Sequence, residues 1–242
     1  MIKAAINRLL ELAAPNVSDI NGRTYSDKNL IPMDVDLRAG SISMNTLTGL
    51  IDYIKAQEDF KDIPYLIQIV SPTEVRLISS LDSDRKRETL VEVEAEIPDF
   101  SYGRFIENEA FIIGVQSKFL DGIAEKNDKP VVLRFAGNVK AGTVAEYGDT
   151  GVGQKATIKK GVTSMVEAEV PSPCYLMPYR TFTEVAQPMS SFIFRVKDDD
   201  RIGVTFALFE ADGGAWKNEA KANIKDYLVE ALKDFKNITV IS

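Results

Sequence analysis

Histidine is absent from this 242-residue chain, and cysteine occurs once, as Cys174. Without histidine there is no Ser-His-Asp triad, no Cys-His nucleophile pair and no metalloprotease helix motif. One cysteine cannot close an internal disulfide or supply a cysteine zinc site, which fits a reducing compartment. No run approaches the eighteen or more apolar residues of a membrane span. The opening segment, MIKAAINRLLELAAP, is interrupted by Arg8 and Glu11. Its apolar residues Ile2, Ile6, Leu9, Leu10 and Ala13 recur at helical spacing, so it reads as an amphipathic helix ending near Pro15 rather than a signal peptide. Too few lysines and arginines lie on its polar face to favour a membrane-surface anchor.

What is present is an ordinary globular mixture, 45% hydrophobic and 27% charged, with 36 acidic against 29 basic residues and a net charge of −7. An acidic balance disfavours general phosphate binding by the surface but leaves room for a local basic groove.

Asn21-Gly22 between two β-prone runs marks a two-residue hairpin turn. Asn45 or Thr46 can cap a helix whose Leu47, Leu50, Ile51 and Ile54 share a face. YLIQIV and VRLISS flank a Ser-Pro turn and form a second hairpin. Asp82 to Glu88 is a solvated loop, and in the strand after it Val91, Val93, Ala95 and Ile97 face one way. In FIIGVQSKF, Phe111, Ile113, Val115 and Phe119 follow period two and Gly114 weakens a helix, so a strand is expected. Five glycines between residues 136 and 153 suggest a flexible loop or hairpin tip.

Beyond residue 154, QKATIKKGV, SMVEAEV, RTFTEVAQ, SFIFRV and IGVTFALFE are successive strand candidates. Asp198, Asp199 and Asp200 fall at a turn between the last two. Asp212-Gly213-Gly214 breaks the sheet before a helix burying Trp216, Ile224, Tyr227, Leu228, Ala231, Leu232 and Phe235, and ITVI forms a tail strand. The expected fold is α+β, a mainly antiparallel sheet with N-terminal and C-terminal amphipathic helices. We expect one domain over 1–242: a helix and hairpin half (1–135), the Gly-rich loop (136–153) and a β-rich half closed by a helix (154–242).

Three constellations bear on chemistry. Gly148 to Lys155 is rich in glycine but lacks the Gly-Lys-Ser/Thr ending of a phosphate loop, so a turn is the better reading. Glu210, Asp212, Glu219 and Lys221 cluster at a strand-to-helix junction, and Glu219-Ala220-Lys221 has the form used by metal-dependent nucleases. Within a helix, however, residues two apart diverge, and Asp212 suits a helix start. Lys155, Lys159, Lys160, Tyr179, Arg180 and Arg195, interleaved with Phe182, could form a groove that stacks single-stranded bases. Core packing of Phe182, Phe192 and Phe194 competes with that groove. No residue set calls for a cofactor or a metal.

PYRTFTEVAQPMSSFIFRV (178–196) and FEADGGAWKNEAKANIKDYL (209–228) resemble a family of YfdQ-like proteins encoded by bacteriophages and prophages. TYSDKNL, TLTGLIDYI and YLIQIVSPTEVRL are similar to the N-terminal half of that family. The resemblance spans most of the chain and is weakest over 100–150. It implies a phage gene product in the cytoplasm of the bacterial host, and no catalytic motif comes with it.

The leading expectation is therefore a non-enzymatic, homo-oligomeric protein acting by assembly or by binding a host or phage factor, counter-defence included, because unpaired sheet edges need covering. A nucleic-acid-binding protein of phage replication or recombination is the alternative, and a metal-dependent nuclease the second.

Overall fold

A computed structural model describes residues 2–20, 23–28, 40–56, 64–82, 85–121, 126–141, 143–149, 154–160, 164–169 and 172–242, with side chains left undescribed at 9–13, 23 and 140–169. The chain divides into two compact units, Met1–Ala39 and Gly40–Ser242. It is α+β, as the residue pattern predicts, with mostly antiparallel strand pairs. No helix among the described residues is long and apolar enough to cross a membrane.

The first unit holds helix α1 (Ile2–Ala13) and the antiparallel hairpin of β1 (Val17–Ile20) and β2 (Arg23–Ser26). That hairpin is the one the Asn-Gly pair announces. Asp27 tethers its open end, accepting hydrogen bonds from the backbone N–H and the side-chain amide of Asn16, both at 2.8 Å.

The second unit is built on two sheets. The five-stranded sheet runs β14-β4-β5-β6-β3, from β3 (Ile42–Met44), β4 (Tyr65–Ser71), β5 (Glu74–Ser79), β6 (Thr89–Glu94) and β14 (Ile238–Ile241). Its centre is antiparallel, while β14 on β4 and β3 on β6 pair in parallel. Ile67, Ile69, Val75, Leu77, Val91 and Val93 alternate toward one face and bury against helix α2 (Leu47–Ala56) and helix α5 (Ala215–Ala231). The predicted apolar stripe of α2 is fully or nearly fully buried.

The four-stranded sheet runs β11-β12-β13-β7, from β7 (Ile106–Glu107), β11 (Cys174–Leu176), β12 (Ser190–Asp199) and β13 (Gly203–Glu210). Its inner face offers Phe192, Phe194, Val196, Phe206 and Leu208 to helix α3 (Asn108–Lys118) and helix α4 (Lys129–Ala141). Phe111 stacks on Phe194 at 5.5 Å, and Phe135 meets both Phe194 and Phe206 edge-on. A third, antiparallel sheet pairs β8 (Thr143–Asp149), β9 (Gln154–Lys160) and β10 (Ser164–Glu169) in the order β10-β9-β8.

The structure corrects three expectations. FIIGVQSKF is helical: Phe111 and Val115, four apart, bury on the sheet, whereas Ile113, which a strand would bury beside them, is exposed. Gly114 serves close approach rather than breaking the helix, since a Cβ there would lie 3.0 Å from Phe100 Cε2. Of the two readings of the glycine-rich stretch 136–153, the flexible loop gives way to regular structure that ends α4 and forms β8, while the hairpin tip agrees with the antiparallel pairing of β8 with β9; residues 142 and 150–153 lie outside the described set. RTFTEVAQ is a loop, for reasons that define the candidate site. The expected halves 1–135 and 154–242 also interlock, because β14 pairs with β4 and β7 with β13.

Candidate functional site: an aromatic cleft around Arg180

The loop from Tyr179 to Gln187 runs between the two sheets with its backbone satisfied by a side chain. Gln187, 5% exposed, accepts at Oε1 from the N–H groups of Arg180 (2.9 Å) and Thr181 (3.2 Å). Its Nε2 donates to the carbonyl of Phe182 at 2.9 Å and, more weakly, to those of Thr181 and Val185. A buried backbone must find such partners, and here one amide replaces a strand ladder. The loop is also pinned outward. Thr181 Oγ1 donates to the Pro72 carbonyl, and Asn223 Nδ2 donates to that of Ala186. Glu184 accepts from the N–H of Leu47 at 2.8 Å, placing a carboxylate at the positive start of α2. Phe182 and Val185 enter the core under the five-stranded sheet.

Held by this loop, Arg180 is only 4% exposed. Its guanidinium donates to Glu210 and to Ser190 Oγ, and its Cζ lies 4.0 Å from the centre of the Trp216 ring. Phe192 and Tyr102 add ring faces at 5.4 and 5.8 Å. Stacking and a fixed fork of donors suit arginine rather than lysine. Burial lowers the Arg180 pKa, opposed by the carboxylates of Glu210 and Asp212. Burial also raises the Tyr102 hydroxyl well above the usual phenol value, so the ring stays protonated.

Beside this group opens a cleft of about 470 Å³, within the range of small-ligand pockets. The β4–β5 turn, the segment 97–102, Tyr179, Glu210 and the first turn of α5 contribute its walls. That turn starts at Ala215 after the N-cap Gly214, which lies in the left-handed region at φ +82°, and Asp212 Oδ1 accepts from the Gly214 N–H at 3.0 Å in the turn before it. Arg180 Nε and Trp216 Nε1 are buried without a hydrogen-bond partner.

The six residues expected to form a basic groove are distributed differently. Tyr179 and Arg180 both line the cleft, Arg180 as a buried and paired group rather than a strand residue. Arg195 lies on β12 between the inward-facing Phe194 and Val196, so it occupies the opposite face of the four-stranded sheet. Lys155, Lys159 and Lys160 belong to β9 of the three-stranded sheet, and their side chains are outside the described residues. On α5, Glu219 is exposed and Lys221 half-buried on either side of the buried Ala220, consistent with the divergence expected within a helix. Among the described residues no group of three or more His, Cys, Asp or Glu is placed to hold a metal ion.

Tyr102, Glu210 and Trp216 as partners of Arg180, and Gln187 as the organiser of its loop, escape a linear reading. The chain's single tryptophan two residues after Asp-Gly-Gly, near a strand end, was the one available signal. No family model, curated protein or solved structure matches the chain.

Proposed function

We propose that this chain is a non-enzymatic, homo-oligomeric protein that works by protein interaction, expressed from a phage gene in the bacterial cytoplasm. The phage setting draws its support from the resemblance carried by residues 178–196 and 209–228. Self-association draws its support from one observation, the exposed apolar surface of the N-terminal unit. There Ile2, Ile6, Val17, Ile20 and Tyr25 are 79, 50, 58, 56 and 51% exposed. A 12-residue helix and a lone two-stranded hairpin are each marginal in water, so both gain stability from apolar cover.

A second copy suits this helix by its spacing. Ile2, Ile6, Leu9 and Ala13 are separated by four, three and four residues, the seam of paired helices. The larger sheets, in contrast, end in strands of two to four residues, which blunt edge pairing and direct association toward the N-terminal unit.

Light scattering on the eluting full-length protein tests this reading. The wild type is expected at a multiple of 26.8 kDa, and the double variant Ile2→Lys/Ile6→Lys at 26.8 kDa with an unchanged circular dichroism spectrum. A double variant that keeps the larger mass contradicts it.

A further inference from the structure

We infer that the cleft beside Arg180 is a docking site for an extended, proline-containing peptide segment that carries a basic side chain. This goes beyond self-association, which depends on other residues.

The shape and composition of the walls point to such an occupant. Pro72 and Pro98 stand with the rings of Tyr102, Tyr179 and Trp216 around one opening. Flat rings at fixed positions accept the rigid left-handed extended helix of proline-rich chains, which loses little entropy on binding. The volume of about 470 Å³ accommodates a few residues rather than a folded element.

Charge selects the basic side chain. The walls carry the carboxylates of Asp99 and Glu210 against the single guanidinium of Arg180. That guanidinium is already committed to Glu210 and Ser190, so it offers an incoming anion little. Glu210 is likewise paired with Arg180, whereas Asp99 is exposed, so Asp99 is the carboxylate that an incoming cation meets. The sum disfavours nucleic acid and favours lysine or arginine beside an apolar stem.

The orphaned donors supply a second, independent indication. Arg180 is buried to more than nine-tenths, and its Nε–H and the Trp216 Nε1–H both lack an acceptor. Buried donors left unpaired cost about 1–3 kcal/mol each. A peptide backbone brings carbonyl oxygens, the acceptor type that both donors lack.

Trp216 is the only tryptophan, so its fluorescence reports occupancy of the cleft in the intact protein. The probe is an acetylated ten-residue peptide of proline and arginine, titrated at low salt. Two comparison ligands are the same peptide with glutamate for arginine and a ten-nucleotide oligothymidylate. A saturable change in emission with the arginine peptide alone is expected. Asp99→Asn, which removes an exposed charge with little effect on folding, should weaken it about fivefold. A silent arginine peptide up to about 1 mM, equal binding of the glutamate peptide, or a matching response to oligothymidylate each overturns the assignment. So does full affinity in Asp99→Asn.

Discussion

Replacing Gln187 with leucine isolates the role of a single side chain in joining the two sheets. Leucine is close in volume and apolar, so the substitution removes hydrogen bonds without opening a large cavity. Two buried N–H groups, of Arg180 and Thr181, lose their acceptor, and the Phe182 carbonyl loses its donor. Each buried group left unpaired costs about 1–3 kcal/mol, and three such groups set an upper range near 9 kcal/mol. Water reaching the relaxed loop recovers part of that, and about 3 kcal/mol is expected in urea unfolding followed by far-ultraviolet circular dichroism. For a unit of this size that corresponds to a fall in Tm of about 6–12 °C. Because the loop seats Arg180 against Trp216, tryptophan emission of the folded variant should also shift. Gln187→Glu keeps the acceptor but buries a charge and removes the donor, so it should be at least as damaging. A Gln187→Leu protein within 0.5 kcal/mol of wild type, with unchanged emission, would refute the account of this loop.

Other consequences follow from the same geometry. Arg180→Lys should cost about 2 kcal/mol, reduced from a fully buried case because Glu210 is partly exposed, since a lysine cannot keep both donor contacts and the ring stacking; urea midpoints check this. Gly114→Ala gains helix propensity but drives a methyl against Phe100, which already packs on Phe119 with centroids 4.9 Å apart, so a net loss of about 1 kcal/mol is expected from thermal unfolding. At alkaline pH the buried Tyr102 and Cys174, whose thiol is pushed up to about 12, both hold their protons in the folded chain. A raised folded pKa contributes stability below the unfolded value and loses it as pH rises. Stability should therefore decline from about pH 9 for Cys174 and from about pH 10 for Tyr102, and Tyr102→Phe should flatten the upper part of a pH series of urea midpoints. Cys174 should likewise react with Ellman's reagent at pH 8 only as fast as the protein opens.

Much of the fold was legible because periodicity acted alone. Along β12, Phe192, Phe194 and Val196 alternate with exposed or half-exposed residues, and in α2 the apolar stripe follows one face. Where two periods overlap, pattern fails. Phe111 and Val115 satisfy both a strand and a helix, and only the exposure of Ile113 on the folded chain separates them. Glycine misleads in the same way: Gly137 sits in α4 with open space around it, at a tolerable propensity cost, so the glycine count of 136–153 did not imply a loop. RTFTEVAQ looked like a strand because β-prone residues dominate it, yet partners of its backbone come from the Gln187 side chain rather than a neighbouring strand. The candidate site was hidden for a related reason. Tyr102, Arg180, Glu210 and Trp216 come from four separate segments, and only the crossing of those segments between the sheets brings rings and charge together.

Sedimentation velocity of the unaltered full-length chain, over an about hundredfold range of concentration, tests self-association most directly. The account predicts a species at a multiple of 26.8 kDa that dissociates toward 26.8 kDa on dilution or persists throughout. A single species at 26.8 kDa up to the highest concentration would contradict it.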